Sequence, residues 1–105
     1  MAYKSKFRSP ETDTFFEAVL SLQNAEECYR FFEDVSTVNE LRALSQRFFI
    51  AKLLSEGKTY QEIERLTKAS TATISRINKC YRYGAEGYVT AIKHLSDRLL
   101  TPGKE

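Results

Sequence analysis

Six side chains between residues 71 and 82 have the types and spacing to grip a polyanion. Ala72, Ser75, Lys79 and Arg82 recur at i, i+3, i+7 and i+10, which places them on one face of a helix, with Thr71 and Arg76 at its flanks. The short groups come first and the cations follow. That order suits a helix whose N-terminal end enters the major groove of a duplex. Small side chains permit close approach, Ser and Thr hydroxyls bond base edges, a methyl group meets thymine, and Lys or Arg holds phosphates. With Gln61, Lys68 and Thr73 from the same stretch, the candidate DNA-contacting set is Gln61, Lys68, Thr71, Ala72, Thr73, Ser75, Arg76, Lys79 and Arg82.

The elements that must position these residues read as a helix-turn-helix over about 59–83. Thr59 with Glu62 has the spacing of a capping box, Ile63 and Leu66 are expected to form the inner face of a short first helix, and Ala69 is small enough for two helices to cross closely. Ser70 or Thr71 caps the second helix, whose Ile74, Ile77 and Tyr81 point inward. Such turns usually carry a glycine where this chain has Lys68. A lysine adopts the left-handed conformation at a modest steric cost and there reaches toward a phosphate. The alternative is an ordinary helical hairpin with a solvated basic face.

The remaining start and stop signals extend the pattern to the whole chain. Ser9 precedes Pro10, Asn24 pairs with Glu27, and Thr37 pairs with Glu40, each as a helix start. Gly57 and Gly84 stand where helices should stop in the left-handed conformation. The fold class is all-α, with six helices near 10–22, 25–34, 38–55, 60–67, 71–83 and 88–100. Residues 1–105 form a single domain with loose ends at 1–8 and 101–105. In the third helix Val38, Leu41, Leu44, Phe48, Phe49, Ile50, Leu53 and Leu54 exceed one stripe, so this helix is expected to be buried on several sides. Phe15, Phe16, Phe31 and Phe32 also need cover. A chain of 105 residues buries roughly two-thirds of its unfolded surface at most, so these surfaces are expected to meet a second copy in a homodimer.

Composition narrows the function classes. The net charge is only +2, yet residues 11–46 hold eight acidic and two basic residues, while 57–84 hold six basic and two acidic. One part of the chain can face an anion and another cannot. Cys28 and Cys80 lie far apart with one histidine in the chain, which argues against a disulfide framework and against a metal site. No apolar run reaches membrane-spanning length and no secretory leader is recognisable, so the expectation is a cytoplasmic protein without membrane contact. No enzyme is expected. The bases cluster on an outer face rather than converging on a cavity, as a helical chorismate mutase would need. His94, in Ala-Ile-Lys-His-Leu, also lacks the surroundings of a phosphotransfer histidine.

From Ser36 to Arg82 the chain resembles the Trp repressor family, and within it the Trp-repressor-related YerC/YecD branch. The similar stretches are Glu40-Leu-Arg-Ala-Leu-Ser-Gln-Arg47, Leu53-Leu-Ser-Glu-Gly57, Thr59-Tyr-Gln-Glu-Ile63 and Ala72-Thr-Ile-Ser-Arg76, in the family's order and nearly its spacing. The resemblance implies an intertwined homodimer presenting two helix-turn-helix heads to a pseudo-palindromic operator on double-stranded DNA, as a transcriptional regulator of repressor type. It also implies an effector site. Thr37 and Arg76 fall where the family binds a carboxylate, and Arg47 falls where a second arginine stacks on an indole. Ile77 replaces the glycine that leaves room for the indole, and Cys80 replaces a serine. The expectation is a protein without tryptophan dependence, acting with no cofactor or with a different, amino-acid-like small-molecule effector. The same helix-turn-helix could instead serve as a protein-interaction or RNA-binding module.

Overall fold

A computed structural model describes residues 3–99, in which six α-helices and no strand occur. They are α1 (Pro10–Ser21), α2 (Ala25–Val35), α3 (Val38–Ser55), α4 (Tyr60–Thr67), α5 (Thr71–Tyr83) and α6 (Gly87–Leu99). Of the expected loose ends 1–8 and 101–105, residues 1–2 and 101–105 lie outside the described residues, while residues 3–8 form no helix and Arg8 Nε donates to the Asp13 carboxylate at 3.3 Å. No described helix is long and apolar enough to cross a membrane.

The helix starts are where the local chemistry puts them. Ser9 caps α1 through the Thr12 N–H, with Pro10 at the first helical position. Asn24 accepts from the Glu27 N–H at 2.9 Å, while the Glu27 carboxylate reaches back to the Gln23 N–H. Thr37 and Glu40 exchange both bonds of a capping box, at 3.0 and 2.8 Å, as do Thr59 and Glu62 at 3.1 and 2.8 Å. The bond from the Thr59 N–H is the main reason the Glu62 carboxyl titrates below its ordinary value.

Several boundaries differ from the sequence reading. α1 ends at Ser21, because Leu22 is extended and only closes the helix through a bond to the Val19 carbonyl. α2 gains Val35, because the Ser36 N–H still bonds the Phe32 carbonyl. The start of α6, which the sequence leaves open between Gly84 and Tyr88, falls at Gly87, because the Thr90 N–H bonds the Glu86 carbonyl and Glu86 takes the positive φ of 69°. Gly57 is left-handed as expected, with φ of 85°. Gly84 is not. Its φ is −88°, and glycine is needed there for space, since a Cβ would collide with the Cys80 carbonyl oxygen.

The chain divides into two compact units, residues 1–41 and 42–105. In the first, Phe15, Phe31 and Phe32 are half-buried and Phe16 remains exposed, with ring centroids 5.3–6.5 Å apart in tilted and edge-on pairs. Tyr29, Val35, Val38 and Leu20 are exposed.

The second unit holds the core. Ile50, Ala51 and Leu53 of α3, Ile63 of α4, Ala69 of the turn, and Ile74 and Ile77 of α5 are buried together, with Leu54, Tyr60, Tyr88 and Ile92 packed against them. The third helix is therefore buried on one side only in the single chain. Leu44 and Phe49 stand half exposed to water, at 50% and 48%. Leu66 also departs from expectation, being 53% exposed. The inward face of α4 runs through Tyr60, Ile63 and Thr67, and the Thr67 hydroxyl satisfies itself on the Ile63 carbonyl at 2.8 Å. Tyr81 of α5 is half-buried rather than fully inward.

Candidate nucleic-acid interface

The turn between α4 and α5 is three residues long, and each has a distinct task. Lys68 takes the left-handed conformation (φ 65°, ψ 9°), and its N–H closes α4 on the Glu64 carbonyl at 2.8 Å. The Ala69 N–H bonds the Thr67 hydroxyl at 3.2 Å while its methyl group is buried in the core. Ser70, not Thr71, is the cap of α5, accepting from the Thr73 N–H at 3.2 Å. Gln46 of α3 steadies the assembly by donating from Nε2 to the Thr67 carbonyl at 3.2 Å. Lys68→Gly is expected to stabilise the fold by about 0.5–1 kcal/mol, because relief of a left-handed β-carbon outweighs the entropy glycine adds to the unfolded chain. Urea melts at equal protein concentration check it, and a loss of stability would contradict the turn geometry.

On α5 the face of short groups and cations is open. Thr71, Ala72, Ser75, Arg76, Lys79 and Arg82 are exposed, while Ile74 and Ile77 fix the opposite side in the core. Gln61 and Lys68 are exposed on α4 and the turn. Thr73 is half-buried beside the cap, its hydroxyl accepting from the Ser70 hydroxyl at 3.1 Å, and it faces a hollow rather than the outer surface. Among the described residues none of Arg76, Lys79 and Arg82 pairs with a carboxylate, so their charge is not neutralised within the chain.

The hollow lies on the other flank of α5. It measures about 500 Å³ and is lined by Ala43, Gln46, Arg47, Thr73, Arg76, Ile77, Cys80 and Tyr88. It brings together Arg47, Arg76, Ile77 and Cys80, with Ile77 only 6% exposed as an apolar wall. Thr37 belongs to the other compact unit, where its hydroxyl is used as the cap of α3. Cys28 and Cys80 are both exposed thiols. Burial first, and Cys80 second, push the Tyr88 phenol above its ordinary value, with Arg47 acting the other way; Tyr88 is thus a neutral hydroxyl at neutral pH. Sequence reasoning missed Gln46, Thr67 and Tyr88. Thr67 alone left a signal, a hydroxyl just before a forced left-handed residue.

A short capped helix, a tight turn and a second helix with one side in the core and a cationic side in water define an all-helical protein that presents a basic helix face to solvent. The chain belongs to the Trp repressor family, whose sequence model, described as Trp repressor protein, matches residues 10–96. Among its relatives is the uncharacterized protein YerC of Bacillus subtilis, 48% identical over 92 residues that span 88% of each chain. A crystal structure of a TrpR-like protein from Eubacterium eligens superposes with a TM-score of 0.83 at 47% identity, covering 87% of this chain and 94% of that one. The all-helical fold is thus shared with solved members of the family.

Proposed function

We propose that this protein is a sequence-specific double-stranded-DNA-binding transcriptional regulator of repressor type. In this reading α4 and α5 act as a helix-turn-helix, and a homodimer reads a pseudo-palindromic operator in the cytoplasm. The observation that carries it is the exposed face of α5, short side chains toward its capped N-terminus and, toward its C-terminus, cations that pair with no carboxylate among the described residues. Membership of the Trp repressor family, a family of regulators rather than enzymes, supports the same conclusion. The open apolar side chains Leu44 and Phe49 on α3 support a second copy as their cover.

Selection from random duplexes of about 30 base pairs tests the reading. Enrichment of a pseudo-palindrome with half-sites about one helical turn apart is expected. Affinity for the enriched sequence should fall steeply with salt yet stay roughly 10³-fold or more above that for random duplex. No enrichment of any duplex, with or without added amino acids, would favour a protein-interaction or RNA-binding module.

The hollow beside α5 is the proposed effector site. Arg47 and Arg76 offer two planar cations, paired with no carboxylate among the described residues, for an amino-acid-like anion, whereas Thr37 is not among the residues that line the hollow. Ile77 places a branched side chain where the family's tryptophan pocket needs a glycine, so the proposal is a regulator independent of tryptophan. Isothermal titration with tryptophan is expected to show no saturable binding in the micromolar range. Saturation there would restore tryptophan as the effector.

A further inference from the structure

The cationic face of α5 is tied to the start of α4 by two hydrogen bonds. Asn78 Nδ2 donates to the Tyr60 hydroxyl at 3.1 Å, and Arg82 Nε donates to Asn78 Oδ1 at 3.2 Å. The direction of this relay is fixed by chemistry. Arginine only donates, so the amide oxygen must face it, and the amide nitrogen must then face Tyr60. Tyr60 is a stiff anchor, because its ring packs against the buried core and it occupies the first position of α4, directly after the cap Thr59 and within the Thr59–Glu62 capping box.

The consequence falls on Arg82. Its Nε is committed to Asn78, which leaves the two Nη groups and their four N–H donors for an outside acceptor. A free arginine loses most of its rotamer freedom when it grips a phosphate, whereas one already held at Nε has less to lose. Lys79, on the same face, has no such support among the described residues.

We propose that Tyr60 and Asn78 are positioning residues for nucleic-acid binding, which hold the Arg82 guanidinium ready for one backbone phosphate of a duplex. The inference rests on the DNA-binding reading of α5 and adds two residues that touch no DNA themselves. It makes Arg82 a pre-set clamp and Lys79 an adaptable one.

The test is fluorescence anisotropy of the full chain on a labelled mixed-sequence duplex of about 30 base pairs over a salt series, since a phosphate contact needs no operator. Tyr60→Phe keeps the ring in the core and removes only the acceptor, and Asn78→Ala removes both bonds. Each is expected to weaken binding about fivefold with the salt slope unchanged, because the phosphate contact is still made at a higher ordering cost. In an Arg82→Ala background neither change should cost anything further. A role confined to fold stability would give the same loss in both backgrounds, and that result overturns the proposal. So does wild-type affinity in both single variants. If the wild-type chain bound no duplex even at low salt, the DNA-binding reading itself would fall and this inference with it, and that arm is read first.

Discussion

Ile74→Ala is expected to destabilise the protein by about 2–5 kcal/mol, a large share of the roughly 5–15 kcal/mol that holds a domain of this size. Ile74 is fully buried and is one of the three largest such side chains, with Ile50 and Ile63. These three come from α5, α3 and α4, so Ile74 is the point at which the cationic helix is fastened to the elements that carry it. Among the described residues the buried cluster has seven members, and removing three carbons from its centre leaves a cavity that so few neighbours cannot close. At about 4–8 °C per kcal/mol for a small domain, thermal melts should shift down by roughly 8–40 °C. Wild type and variant must be compared at equal protein concentration, because association stabilises the folded state by mass action. Ile74→Val should cost only about 0.5–1.5 kcal/mol. An alanine variant as stable as the valine one would mean that α5 is not held through this side chain.

The sequence made legible what depends on neighbours three or four residues apart. Ser9, Asn24, Thr37, Thr59 and Ser70 all cap helices, because each has its partner N–H within one turn of its own backbone. The exposed face of α5 was legible for the same reason, since the buried Ile74 and Ile77 set the phase of the helix. Leu66 was misread because hydropathy favours leucine over threonine for an inward position, whereas the bond from the Thr67 hydroxyl to its own helix makes threonine acceptable there. Gly84 was misread because glycine serves both left-handed backbone and crowded backbone, and only the position of the Cys80 carbonyl tells which. The Tyr60–Asn78 bond spans 18 residues and has no sequence signature at all. Tyr88 reaches the hollow from α6 across a link whose geometry is set by Glu86 at positive φ, a residue type that does not announce a turn.

Removing both cations from the C-terminal half of α5 should have the largest effect on function. Lys79→Ala/Arg82→Ala is expected to lower duplex affinity by about a hundredfold for each copy of the chain bound near 0.1 M salt, because neutralising one phosphate is worth about tenfold there. The slope of log affinity against log salt should flatten by about 0.9 for each phosphate no longer held, and the weakening should be the same for operator and for random duplex. Stability should barely change, since both side chains are exposed and neither supports the core. Bulk charge is separated from position by Lys93→Ala/Arg98→Ala, which subtracts the same charge from α6 and should leave the slope nearly intact. Ser75→Ala and Thr71→Ala supply the opposite contrast. They remove hydroxyls from the N-terminal end of the face without touching its charge, so sequence preference should relax while the salt slope holds. If the charge pair and the hydroxyl pair behaved alike on every duplex, phosphates and bases would not be divided along α5 as its order of residues requires, and the helix would have to approach DNA by another face.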